Sequence, residues 1–150
     1  MKTLNLKNTV LLLICIFGFS ISASAQKTTI QVNELPENAK SFIKQHFKNE
    51  TVSYVIKEEE FLVIDEYKVT LSDGTEIEFN KNGNWKEISN KTKGIKTSVI
   101  PNKILNYCTK SFPNTSIKKI EKSRWKYDVE LSNDLDLEFD SDGNFKRIDD

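Results

Sequence analysis

A chain of 150 residues with 22 basic and 22 acidic side chains and a sequence pI near 6.6 lacks the clustered basic excess of a nucleic-acid binder. Its two cysteines and single histidine are too few for a disulfide-stapled scaffold or a Cys/His zinc site. The length suits one compact unit with its own apolar core.

The first segment reads as an export signal. Lys2 and Lys7 precede the apolar run from Val10 to Phe19, and the small residues Ala23, Ser24 and Ala25 follow, the pattern of a secretory signal peptide. The run is short for a bilayer span. Cys15 follows Leu13 and Ile14, where lipoprotein processing wants small residues, so no lipid anchor is expected. Cleavage after Ala25 leaves 125 residues, and losing Lys2 and Lys7 from the 22 cations leaves 20 against 22 acids, a net charge near −2. Cys108 is then the only cysteine, so no intrachain disulfide forms even in an oxidising compartment. The expected destination is periplasmic or secreted, with no membrane attachment once the signal is removed.

Pro36 and Pro101 each mark a helix start, where a missing backbone N–H costs nothing. Ala39, Phe42, Ile43, His46 and Phe47 recur at helical spacing, as do Ile104, Leu105, Tyr107, Cys108 and Phe112, giving each helix one apolar face. After each helix the pattern alternates with period two: Tyr67, Val69, Leu71, then Ile77 and Phe79; and Trp125, Tyr127, Val129, Leu131, then Leu135, Leu137 and Phe139. These are half-buried strands. Ser-Asp-Gly at 72–74 and Asn-Gly at 82–83 supply turn chemistry. Phe61 and Val63 share the parity of Tyr67 and Val69, which leaves Leu62 and Ile64 pointing outward, to be covered by the chain, by self-association or by a partner.

An internal repeat organises these elements. Residues 67–89, "YKVTLSDGTEIEFNKNGNWKEIS", align at an offset of 60 with residues 127–149, "YDVELSNDLDLEFDSDGNFKRID". "LPENAKSFIKQHFKNETV" aligns at an offset of 65 with "IPNKILNYCTKSFPNTSI", so the first copy carries five extra residues, near 58–65. The predicted fold is α+β: two tandem αββββ repeats at 26–90 and 99–150, a polar linker at 91–98, and helices packed on one face of the sheet.

"LEFDSDGNFKRID", residues 137–149, can also be read as half a calcium loop, with Glu138, Asp140 and Asp142 before Gly143. The first copy offers Glu78, Asn80 and Asn82 before Gly83, so the copies share turn chemistry and not charge. Position twelve is Ser89 or Asp149, neither of them the bidentate Glu of an EF-hand. A hairpin is expected.

The Leu-Pro or Ile-Pro helix starts, the aromatic pairs Phe42/Phe47 and Tyr107/Phe112, and the closing "EFNKNGNW" and "EFDSDGNF" hairpins resemble the PepSY-like exported proteins, whose fold is similar to that of β-lactamase inhibitor protein. The resemblance implies helices on one sheet face, the other face open, and a protein-binding or inhibitory role. The expected partner is another exported or periplasmic protein, with self-association as the other route.

Nothing in the sequence suggests an enzyme. His46 lies on an apolar helix face, Cys108 aligns with Ile43, and no phosphate loop or nucleophile elbow is present. No catalytic residue, cofactor or metal ligand is assigned. A turn at Ser132, Asn133 and Asp134 places Asp128 opposite Glu138 and Glu130 opposite Asp136, so four carboxylates share the solvent face of the sheet, at a cost of about a few tenths of a kcal/mol per like-charge pair. That patch is an ordinary charged exterior partly balanced by Lys146 and Arg147, a docking surface for a basic partner, or a weak divalent-cation or sensing site.

Overall fold

The computed structural model describes residues 26–60 and 63–149. The described residues fold as one nine-stranded antiparallel sheet with two helices. Strand β1 (Gln26–Ile30) leads through a 3-10 turn into helix α1 (Glu37–His46). Next come β2 (Val52–Glu60), β3 (Val63–Leu71), β4 (Glu76–Asn80) and β5 (Trp85–Ser89). A second 3-10 turn precedes α2 (Asn102–Ser111), followed by β6 (Ile117–Lys122), β7 (Lys126–Leu131), β8 (Asp136–Asp140) and β9 (Phe145–Asp149). The strands lie in chain order across the sheet. β1 was not foreseen, although Thr28, Thr29 and Ile30 are β-branched strand formers.

One apolar row crosses all nine strands. Ile30, Val55, Val69, Ile77, Ile88, Ile120, Val129, Leu137 and Ile148 are successive cross-strand partners. Directly opposed residues share a sheet face, so this row fixes the core side of every strand. Phe79 and Phe139 stand two residues from Ile77 and Leu137 and therefore share that face. Phe42 of α1 meets Phe79 edge-on at 5.9 Å, and Tyr107 of α2 meets Phe139 in the same manner at 5.6 Å. Both helices thus cover one face of the sheet. Ala39, Ile43, Ile104 and Cys108 are buried beneath them, each large aliphatic side chain contributing roughly 1.5–3 kcal/mol.

The 137–149 segment is a hairpin formed by β8 and β9. The Asp140 carboxylate accepts the backbone N–H groups of Asp142 and Asn144; Asn80 does the same for Asn82 and Asn84. Gly83 sits at φ 77°, where an added Cβ would lie 2.8 Å from Ala39 N. The β4–β5 turn therefore packs directly under the N-terminus of α1, and Asn38 Nδ2 donates to Asn82 O at 3.1 Å.

Two sequence expectations need correction. Trp125 does not continue the inward pattern of β7: it lies in the turn after β6 and is 72% exposed. Ile64 does not point outward. Glu58 pairs with Glu66 but Glu59 pairs with Ile64, so a bulge at Asp65 absorbs one residue, flips the parity, and brings Ile64 against the core. Leu62 lies outside the described residues, as does the predicted signal at 1–25. The connection between the halves is also more tightly held than its polar sequence suggests. Asn90 is 2% exposed and Ile95 is buried. The Asn90 side chain donates to Asp73 O and Thr75 Oγ1 and accepts the N–H groups of Thr92 and Lys93.

Candidate binding face

The face opposite the helices is set by the same register. Lys68, Glu78, Glu87, Glu121, Asp128, Glu138 and Arg147 are successive partners from β3 to β9. Five carboxylates thus stand in line on consecutive strands, spaced about 4.8 Å apart, with one cation closing each end. A neighbouring row runs Thr70, Glu76, Ser89, Lys119, Glu130, Asp136 and Asp149. The expected pairs Asp128–Glu138 and Glu130–Asp136 are present.

Interleaved cations hold this charge together. Lys68 bridges Glu78 at 3.0 Å and Glu76 at 3.3 Å. Its hydrogen bond to Glu78 outweighs the opposing burial and, with the charges of both carboxylates, raises its pKa. Lys119 bridges Glu87 at 3.1 Å and Glu121 at 3.7 Å. Burial works against the charge of Lys119, yet the bond to Glu87 and the fields of Glu87, Glu121 and Glu130 still raise its pKa. Lys126 contacts Asp128 at 2.9 Å and Glu138 at 3.4 Å, and Arg147 Nη2 reaches Glu138 at 2.9 Å and Asp149 at 3.4 Å. Covered from both sides, the Glu138 side chain is only 14% exposed.

Asp128, Glu138 and Asp149 each offer an oxygen within 4.8 Å of the others. Calcium needs six to eight oxygens and here would compete with Lys126 and Arg147 for the same atoms. Glu130 and Asp136 make no ion pair among the described residues and border a recess on this face with Lys119 and Lys126.

Sequence reading found the four carboxylates of the second half but not their continuation through Glu121, Glu87 and Glu78. That continuation depends on β5 pairing with β6, a contact no local pattern encodes. Of the principal counterions, Lys126 and Lys119 were also missed, whereas Arg147 was expected. Lys146, expected to share the balancing role, falls at the β8–β9 irregularity. The His46 ring lies beside Phe42, with centroids 4.6 Å apart and planes tilted by 38°. Cys108 is buried, and desolvation pushes its thiol up to about 11, the state of a core side chain rather than a nucleophile.

A strand-ordered antiparallel sheet with helices on one face and an open, charge-laced opposite face defines a class of small helix-plus-sheet modules. The chain belongs to the PepSY-like family: residues 65–147 match the family model described as "Putative beta-lactamase-inhibitor-like, PepSY-like". Among solved structures it is similar to a "putative calcium-regulated periplasmic protein" from Bacteroides thetaiotaomicron, with 37% identity over 83% of this chain and 97% of that one, at a TM-score of 0.77. Two proteins from Bacteroides vulgatus are each 34% identical over 83% of this chain. One, a "putative periplasmic protein" from the DUF2874 family, is covered to 98% at a TM-score of 0.75. The other, a "putative periplasmic protein of unknown function", is covered to 100% at 0.76. No curated protein matches the chain. Among the described residues, no helix is long and apolar enough to cross a membrane.

Proposed function

We propose that the chain is an exported, non-catalytic binding module that docks a cationic surface of another exported protein on its open sheet face. The observation that carries this reading is the line of carboxylates on five consecutive strands, Glu78 to Glu138. A rigid sheet presents this charge in fixed register, and electrostatic complementarity of that kind gives specificity and a fast on-rate. The periplasmic names of the similar structures support export, with cleavage after Ala25 as read from the sequence. The family description supports inhibition as one consequence of docking.

The reading includes two tandem αββββ copies, 26–90 and 99–150, joined by the 91–98 linker. The order helix, four strands, helix, four strands and the matched pairs Tyr67–Phe79 and Tyr127–Phe139 support it. The test is affinity capture from the protein's own periplasm with the mature chain and with a Glu87→Gln, Glu121→Gln, Asp128→Asn variant. A partner retained by the native face and lost by the variant supports docking; equal retention by both ends the proposal.

A second reading is a divalent-cation site at Asp128, Glu138 and Asp149. It is favoured by their 4.8 Å grouping and by the calcium-regulated name of one similar protein. Calcium titration followed by amide NMR separates the readings. Saturable shifts confined to β7, β8 and β9 and lost with Asp128→Asn favour a cation site, whereas a flat titration to millimolar calcium excludes it.

A further inference from the structure

A recess of about 520 Å³ lies beside α1, lined by Val32, Lys40, Ile43, Lys44, Phe47 and Lys48, with Glu50 at its edge. Its volume falls within the range of small-molecule sites. Ile43 and Phe47 belong to the buried core, while Val32 is 42% exposed, so an apolar surface continues from the core out to solvent.

Lys40 and Lys44 are four residues apart on one face of α1, and Lys48, in the turn that follows the helix, lines the same recess. Like charges at that spacing are mutually destabilising. Lys40 is held by Glu37 at 2.6 Å and donates to Asn33 O at 3.3 Å. Lys44 and Lys48 make no ion pair among the described residues. Glu50, the one carboxylate of the recess among the described residues, is already engaged by Lys96 at 3.3 Å and by the Ser72 hydroxyl at 3.1 Å. Two cations therefore stand unneutralised over an apolar recess, their methylene stems extending its walls.

The other half of the chain shows that packing does not require these lysines. At the offset of 65, α2 and its end carry Leu105, Thr109 and Pro113 where α1 and its end carry Lys40, Lys44 and Lys48. The residues packed on the sheet match instead: Cys108 for Ile43 and Phe112 for Phe47. The lysine stripe is thus an addition to a helix-on-sheet arrangement that α2 achieves without it.

We propose that this recess binds an aliphatic carboxylate, with Lys44 and Lys48 pairing the carboxylate and with Val32 and the lysine stems flanking the acyl chain over a floor set by the buried Ile43 and Phe47. The site lies on the helix side of the molecule and is independent of docking on the open face. Amide-detected NMR titration of the mature chain with dodecanoate below its micellar concentration tests it, with dodecanol as the neutral control. The expected result is saturable shifts around Val32 and residues 40–50, binding weakened at least tenfold by Lys44→Glu with Lys48→Glu, and weaker binding of dodecanol. Thermal denaturation of the double variant checks that its fold is intact, and Val32→Ser provides a second variant that leaves the charges in place. Absent or non-saturable shifts, equal affinity for dodecanol, or unchanged binding in the lysine variant would overturn the proposal. Concentration-dependent self-association abolished by the same lysine variant would assign the recess to a second copy of the chain and overturn it equally.

Discussion

Replacing Asn90 with alanine unties the connection from the β3–β4 turn of the first half. Four hydrogen bonds disappear at once: two donated to Asp73 O and Thr75 Oγ1, and two accepted from Thr92 and Lys93 N–H. The residues behind the lost bonds differ in access to water. Thr92 and Lys93 are exposed, so solvent can replace their partner and each of those bonds represents about 0.5–1 kcal/mol. Thr75 is 2% exposed, and a buried polar group stripped of its partner costs about 1–3 kcal/mol. The total expected is about 2–5 kcal/mol. Urea denaturation followed by circular dichroism is the assay: the midpoint should fall with the slope unchanged, the signature of altered stability without altered cooperativity. A loss below about 0.5 kcal/mol would refute the view that Asn90 locks the connection. A changed slope would show instead that the halves unfold separately.

Three further outcomes follow from the geometry. The Cys108 thiol should resist alkylation at pH 8 in the folded protein and react on unfolding. Because its folded pKa of about 11 lies above the ordinary 9.0, the native state holds the proton more tightly, and that stabilisation is present below pH 9 and lost as pH rises toward 11. Trp125→Ala should change stability by less than about 0.5 kcal/mol, whereas Phe139→Ala, at a fully buried ring, should cost about 3–5 kcal/mol; thermal melts of the two variants check this. Asp140 is held below its ordinary pKa of 3.8 by hydrogen bonds from the Asn144 side chain and backbone. Its contribution is therefore present above that value and lost as pH falls through the lowered one. Asp140→Asn should retain the turn, as Asn80 does in the first half, and flatten the acid limb of the stability profile.

Much of the architecture was legible because period-two alternation and turn residues are local signals. The β7–β8 register followed from the turn at 132–134, and the pairing of Asp128 with Glu138 followed from it. Errors arose where a single residue breaks the period. The bulge at Asp65 reversed Ile64, and the turn after β6 ended strand pairing before Trp125. The union of the two halves into one sheet depends on Ile88 meeting Ile120, a contact between distant segments that no local pattern announces. For the same reason only part of the carboxylate line was visible beforehand, and Lys119 and Lys126, which bridge it, were not assigned.

The central claim, that the open face docks a cationic partner, is tested most directly by site-specific photocrosslinking in living cells. A photoreactive residue at position 121 lies in the middle of the carboxylate line; one at position 110 lies on the exposed side of α2. The account predicts one discrete crosslinked species from position 121, absent from position 110 and lost when Glu87 and Asp128 are neutralised. Crosslinking from position 110 alone, or from position 121 with no dependence on those charges, would contradict it.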